Sequence, residues 1–302
     1  MKRNESKTRN MKALRMEERV FPRAMITPTL IVLLVMTAYP LIFTLIYSFT
    51  DYNYLKGMDN AKFILFQNYA SLIKNGYFRQ ALVNTVKFTF LAVAFEMVIG
   101  LLIALFVHGM RRGKKVMRTL LLLPYLLPTV TVALSWRMML SVNYGIVNQF
   151  LTSLGLPVFN WFMDTRTAFG TILVIDVWQN APFVFLLLYA ALQSVPEELY
   201  EAARIDGAGA LQQFRFVTYP HLRTSIALCA LMRSIDTFRL FEKVNILTGG
   251  GPAGTTSTIT QFLYTYGISN LKFGFGSAGA VVMTILVLLL SSIYIKRAMN
   301  NK

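Results

Sequence analysis

Between residues 25 and 49 the chain runs without a single charged side chain, and residues 276–295 do the same. Two further stretches, 81–108 and 168–192, are almost as apolar. A helix rises about 1.5 Å per residue, so runs of this length match a hydrocarbon layer of about 30 Å. In lipid, every backbone polar group must be bonded internally, which leaves helices or closed barrels. The runs are continuous rather than alternating, so helices are expected. Hydrophobic residues make up 55% of the 302-residue chain, more than a soluble domain of this size needs.

Six spans are predicted, at residues 25–49, 81–108, 116–140, 168–192, 225–247 and 276–295. The first contains Pro40, where a kink is expected. The third is interrupted by Pro124 and Pro128. The fifth is the most polar. The first run is too long, and starts too far from Met1, for a cleaved signal peptide, and no small-residue cleavage site follows it. The organisation read from this is a basic tail at 1–24, a six-span domain at 25–297 with a polar loop at 193–224, and a short end segment at 298–302.

The formal net charge is +16. Of the 30 Lys and Arg, nineteen fall on one side: eight in the tail, five in 110–118, three in 193–224 and three at the end. Six fall on the other side, and five lie within spans. This bias predicts that both termini and the 193–224 loop face the cytoplasm. It accounts for most of the basic balance without a nucleic-acid partner. The tail has the composition of a segment that rests on anionic headgroups of the bilayer.

Cys229 stands alone, so no disulfide can form within the chain. His108 and His221 fit no metal-ligand spacing, and no metal site is expected. No phosphate-binding loop is present: the nearest string, GMRRGKK at 109–115, has the wrong glycine spacing and lacks the hydroxyl residue. No nucleophile, base and orienting group stand in a credible arrangement, so no catalytic residue is assigned.

The loop between the fourth and fifth spans reads SVPEELYEAARIDGAGALQQFRFVTYP. Ser194 and Glu197 have capping-box spacing, with Pro196 in the first turn. Three glutamates, at 197, 198 and 201, suit the positive end of a helix dipole. Gly207 is a natural helix stop. A second short helix, ALQQFRFV, is expected to end at Pro220. The unit is a helix, a glycine turn and a helix, with small Ala202 and Ala203 permitting close approach of another surface. It suits either a peg for a soluble partner or a helix lying on the membrane.

Charges inside spans are costly and usually face a bundle interior or a cavity. Glu96 lies in the second span, Asp176 in the fourth, and Arg233, Asp236, Arg239, Glu242 and Lys243 in the fifth. Neighbours three apart in the fifth span can pair on one helix. Two readings stand: a polar translocation path lined by Glu96, Trp136, Asp176, Trp178, Arg233, Asp236 and Phe238, or ion pairing that fixes helix packing. Arg239, Glu242 and Lys243, near the far end, favour the second. The aromatic residues Trp136, Trp178, Phe183, Phe238 and Phe241 suit either stacking on sugar faces or packing.

Glu201-Ala202-Ala203 with Asp206-Gly207-Ala208, Val217 and Pro220 resembles the EAA motif of permease subunits in binding-protein-dependent ABC importers. Val217 stands where the family pattern has Ile, and Tyr219 where it has Leu. Tyr39-Pro40, Ser48-Phe49-Thr50-Asp51, LLLPYLLP at 121–128, YGIVNQFL at 144–151, DVWQNAPF at 176–183 and LTGGGPAG at 247–254 are similar to the carbohydrate branch, of maltose or glycerol-phosphate type.

The resemblance implies an all-α, type I importer permease fold. It implies that this chain forms half of a path for a sugar or sugar-like solute and binds no cofactor itself, with ATP and Mg held by separate ATPase subunits. The implied partners are a second EAA-bearing permease, two ATPases, an extracellular or periplasmic solute-binding protein and the bilayer of a bacterial or archaeal inner membrane. Glu201, Ala202, Ala203, Asp206 and Gly207 would then form the coupling helix. LTGGGPAG is either a flexible linker or an outer loop near the binding-protein surface. A stand-alone secondary transporter or channel is the alternative, though no internal repeat supports it. A membrane-embedded enzyme is a third class, for which no motif speaks.

Overall fold

A computed structural model describes residues 2–57 and 61–300, with side chains placed for 25–57 and 61–296. The side chains of the basic tail and of segment 298–302 therefore lie outside the described residues. The described chain is all-α, with one isolated bridge between Thr50 and Phe63.

Among the described residues thirteen α-helices follow one another: α1 (Lys2–Ser48), α2 (Gln67–Lys74), α3 (Gly76–Gly109), α4 (Lys114–Leu126), α5 (Thr129–Met139), α6 (Ile146–Ser153), α7 (Ala168–Leu192), α8 (Glu197–Ile205), α9 (Ala210–Gln213), α10 (Tyr219–Phe238), α11 (Glu242–Leu247), α12 (Ile259–Leu263) and α13 (Phe273–Asn300). Among the described residues, Met25–Ser48, Gly76–Gly109, Ala168–Leu192 and Phe273–Lys296 are each long and apolar enough to cross a membrane. The pair α4 and α5 is long and apolar enough only when taken together, across a sharp bend. α10, whose charges lower its hydropathy, is not among these, but it packs against α3, α7 and α13.

The third predicted span is not one rod. α4 and α5 meet at 88°. Pro124 sits inside α4, and Pro128 is the N-cap of α5. A break at membrane depth frees carbonyls that lipid cannot satisfy. Gln179 of α7 meets this need by donating to the Leu127 carbonyl at 3.0 Å. The fifth predicted span also divides. α10 ends at Phe238, a short corner follows, and α11 takes up the chain at Glu242. There the Leu240 carbonyl accepts from the Thr258 hydroxyl at 2.8 Å. At Pro40, by contrast, α1 stays helical, and Thr44 donates to the Pro40 carbonyl at 2.8 Å.

The central pair is α3 and α7. Gly100 sets their separation: a Cβ there would lie 2.6 Å from Val184 Cβ and 2.9 Å from the Phe185 nitrogen. Three apolar clusters surround this pair. One joins α3, α5, α7 and α11 through Phe88, Ile175 and Val244. The second, toward the 193–224 end, joins α3, α7 and α10 through Val107, Phe185 and Leu222. The third joins α3, α10 and α12 through Phe78, Phe238 and Phe262, with α13 packed against it. α1 is the exception. It packs mainly on α13, and its apolar side chains from Met25 to Ile46 stay largely exposed in the single chain.

Segment 248–257 is built rather than loose. Asn84 donates to the Gly254 and Ser257 carbonyls at 2.9 and 3.0 Å, and Gln80 to the Ala253 carbonyl at 3.3 Å. The Thr248 and Thr256 hydroxyls meet at 2.8 Å. The linker reading of LTGGGPAG does not hold, because side chains of α3 occupy its carbonyls.

Candidate functional site

Two features are candidates for a functional site: an exposed helix at one end and a charged cavity among the spans. The protruding helix is α8. The capping box expected at Ser194 does not form, since the Ser194 hydroxyl donates to the Ala191 carbonyl at 2.7 Å. The N-cap is Pro196, whose ψ of 134° is extended. Proline biases the residue before it away from the helical region, which delays the helix start to Glu197. Glu197 and Glu198 then lie in the first turn, and Arg204 in the last, each favourable to the dipole.

The C-terminus closes with a six-residue motif. The Ala208 nitrogen donates to the Ala203 carbonyl at 2.8 Å, and the Gly207 nitrogen to the Arg204 carbonyl at 3.1 Å. Gly207 holds a φ of +76°, which L side chains rarely adopt. Glu201, Ala202 and Asp206 are exposed and Ala203 is half-buried. Glu201 joins no ion pair among the described residues. Next to it stand bare apolar side chains: Ile205 is 87% exposed and Leu211 80%.

Pro220 does not end the second helix. α9 passes into a wide π turn, Phe214–Thr218, which runs straight into α10 with Pro220 in its first turn. The missing proline N–H falls where the hydrogen-bond register changes, so the helix continues past it. α8 is strapped to this base: the Tyr200 and Thr218 hydroxyls meet at 3.0 Å, and Gln213 donates to the Ala208 carbonyl at 2.8 Å. α8 is thus joined through hydrogen bonds and a continuous helix to α10.

At its other end α10 reaches the cavity, a space of about 340 Å³ bounded by α4, α5, α7, α10 and α11. Arg233 donates through Nε and one terminal nitrogen to both carboxylate oxygens of Glu96, at 2.7 and 2.9 Å. Glu96 is completely buried on α3. The Arg233 guanidinium also lies 3.9 Å from Asp176 and 3.7 Å from Asp236. Lys243 of α11 donates to Asp176 Oδ1, which also accepts from Asn180 at 3.0 Å. Asp236 holds Arg239 at 3.2 Å. A chain of charges thus ties α3, α7, α10 and α11 together.

Four of the residues expected on the path, Glu96, Asp176, Arg233 and Asp236, come together here. The other three do not. Trp136 and Trp178 pack edge to face, 5.5 Å between centroids, with Trp178 facing an apolar recess of about 500 Å³ between α3, α4 and α7. Phe238 is buried in the apolar cluster with Phe78 and Phe262. Of the expected pairs along the fifth span, Arg233–Asp236 and Asp236–Arg239 form, whereas Arg239–Glu242 does not appear among the described ion pairs. The helix ends between those two residues, so three-apart spacing no longer brings them together.

Lys243 is ion-paired, as the sequence reading favoured, but its partner Asp176 was not foreseen. Its signal was available: no acid lies three or four residues from it on either side, so its partner had to come from another element. Phe241, one of the aromatic residues singled out in the sequence, lines the cavity together with Asn180, next to Asp176, and with Tyr125 and Thr129, which carried no distinguishing local pattern.

Residues 96–299 match the family described as the binding-protein-dependent transport system inner membrane component. The chain belongs to this family. It is a multi-pass membrane permease subunit of a binding-protein-dependent importer, and several of its similar relatives are named as sugar permeases. The trehalose/maltose transport system permease protein MalF of Thermococcus litoralis is 35% identical over 274 residues, covering 90% of this chain and 91% of that protein. The sulfoquinovosyl glycerol transport system permease protein SmoG of Agrobacterium fabrum is 32% identical over 279 residues, covering 92% and 90%. In fold, the chain is similar to a bacterial ABC transporter involved in the import of the acidic polysaccharide alginate. The TM-score is 0.84 at 22% identity, over 97% of this chain and 99% of that one. This likeness establishes the type I importer permease architecture.

Proposed function

We propose that this permease subunit forms half of the path for a sugar or sugar-like solute and takes its motion from separate ATPase subunits through α8. The observation that carries the reading is the mechanical continuity from α8 through the π turn into α10, whose far end holds Arg233 and Asp236 at the cavity. In this reading Ile205, Ala202 and Leu211 meet a cleft of the ATPase, Glu201 supplies a polar contact, and Gly207 holds the turn. The ATPases hold ATP and Mg. A second permease with its own EAA helix completes the path, and an external solute-binding protein delivers the solute. Both termini and α8 face the cytoplasm, in keeping with the concentration of Lys and Arg on that side.

Nucleotide closure of the two ATPases would draw the coupling helices together and tilt α10 against α3 and α7. The ion pairs from α10 to both helices would move with it and reshape the cavity. The test is Glu201→Lys in the assembled importer. The variant is expected to insert and assemble, with solute uptake reduced at least tenfold relative to ATP hydrolysis. ATP-driven uptake at the wild-type rate would sink the reading.

A further inference from the structure

The apolar recess between α3, α4 and α7 opens toward the basic loop at 110–118, on the side of α8. Its volume is about 500 Å³, and aliphatic, aromatic and proline side chains alone line it. Its α3 wall is the row Phe95, Ile99 and Ile103, four residues apart on one helix face. α3 ends at Gly109. At about 1.5 Å per residue, the recess lies about 9–21 Å from that end. With Gly109 at the membrane surface, headgroups take roughly the first 5–8 Å, and the hydrocarbon of one leaflet about 15 Å more. The recess therefore matches the acyl-chain depth of the leaflet on the side of α8 and stops short of the other.

Each wall leads from the recess to a cation. On α4, Lys114, Arg118 and Leu121 stand four and three apart, along one face. On α7, Tyr189 lies two turns beyond Pro182, and the Arg118 guanidinium sits over its ring, 5.3 Å from the centroid. α3 runs out through Met110 into Arg111 and Arg112. With Lys115 these make five cations, and none joins an ion pair among the described residues. No Asp or Glu occurs in the sequence between Glu96 and Asp164. Arg118 Nε is buried and has no hydrogen-bond partner, a costly state for a donor until an acceptor reaches it. A helix of another subunit would fill the recess without answering the cations. A soluble anion would answer the cations without filling the recess.

We infer that the 110–118 loop and the recess form one site for an anionic phospholipid. Arg111, Arg112, Lys115 and Arg118 hold its phosphate, and one acyl chain lies between α3, α4 and α7. A zwitterionic lipid carries its own ammonium beside the phosphate, so a cluster of cations without acids favours a headgroup of net negative charge.

The experiment uses the assembled importer in nanodiscs of phosphatidylcholine. A minor share of the lipid is either phosphatidylglycerol or phosphatidylcholine, brominated at mid-chain as a fluorescence quencher. Trp178 lines the recess and is the native reporter. Its share of the emission is the difference between the wild type and Trp178→Phe. Brominated phosphatidylglycerol is expected to quench that share at least threefold more strongly than brominated phosphatidylcholine. In the triple variant Arg111→Gln/Arg112→Gln/Lys115→Gln the two lipids are expected to quench equally, and a preference kept there would remove the loop from the site. Equal quenching by both lipids in the wild type would overturn the selection by charge. No quenching by either would mean that another subunit covers the recess, and the site would fall. These last two outcomes are read without the triple variant, so its failure to assemble would leave the test intact. No transport is measured, so each outcome is independent of the solute and of coupling to the ATPases.

Discussion

At the scale of single residues the chain concentrates its risk in the Glu96–Arg233 pair. Removing one partner of a buried pair strands the other and typically costs about 3–5 kcal/mol, whereas removing both in favour of apolar groups can be nearly neutral. Arg233 keeps Asp176 and Asp236 nearby if Glu96 is lost, so Glu96→Gln should fall at the low end of that range. Arg233→Met leaves Glu96 without any cation within ion-pair distance and should fall at the high end. The double variant Glu96→Leu/Arg233→Met should recover much of the loss. Thermal unfolding in detergent orders the three, and equal losses in both single variants would contradict the asymmetry. Gly207 is a different case. A Cβ there meets nothing within 4 Å, so Gly207→Ala costs only the left-handed backbone, about 1–2 kcal/mol. That cost is local, and protease sensitivity confined to the 193–224 loop would show it.

At the scale of elements, crossings and breaks decide the architecture. Gly100→Ala would drive a methyl group into the α3–α7 contact, with an overpacking cost of about 1–3 kcal/mol. Gly170→Ala, on α7 itself, meets open space and is expected to be neutral or to stabilise slightly. Unfolding temperatures of the two variants separate crossing geometry from helix propensity. A similar shift in both would show that Gly100 is no close contact. Four of the spans were legible because apolar length is a one-dimensional property. The corners at Leu127 and at 239–241 were less so. Proline announced the first, but its right angle depends on Gln179 reaching over from α7, a contact between distant segments. No proline marks the second, and its carbonyl is met by Thr258 from further along the chain. The same reason hid the real partner of Lys243. A lysine without a local acid could be noticed, but that α7 supplies Asp176 is a fact of packing.

For the whole molecule the question is what covers the surfaces that a single chain leaves bare. α1 exposes its apolar length, as a helix does when lipid and a neighbouring subunit are to surround it. α8 is another matter, because its bare apolar residues lie on a polar loop. Ile205 and Leu211 at 87% and 80% exposure would be a liability facing water, unless another protein covers them. A cysteine reporter tests this directly, since native Cys229 is fully buried and should stay silent. Ile205→Cys should react quickly with a maleimide in the purified permease and at least tenfold more slowly once the ATPase subunits are bound. Ile73→Cys, exposed on α2 at the opposite end, should react at the same rate in both states. Protection at both positions would indicate general shielding by the assembly. An Ile205→Cys rate unchanged by the ATPases would leave α8 without a partner and break the link from nucleotide to α10.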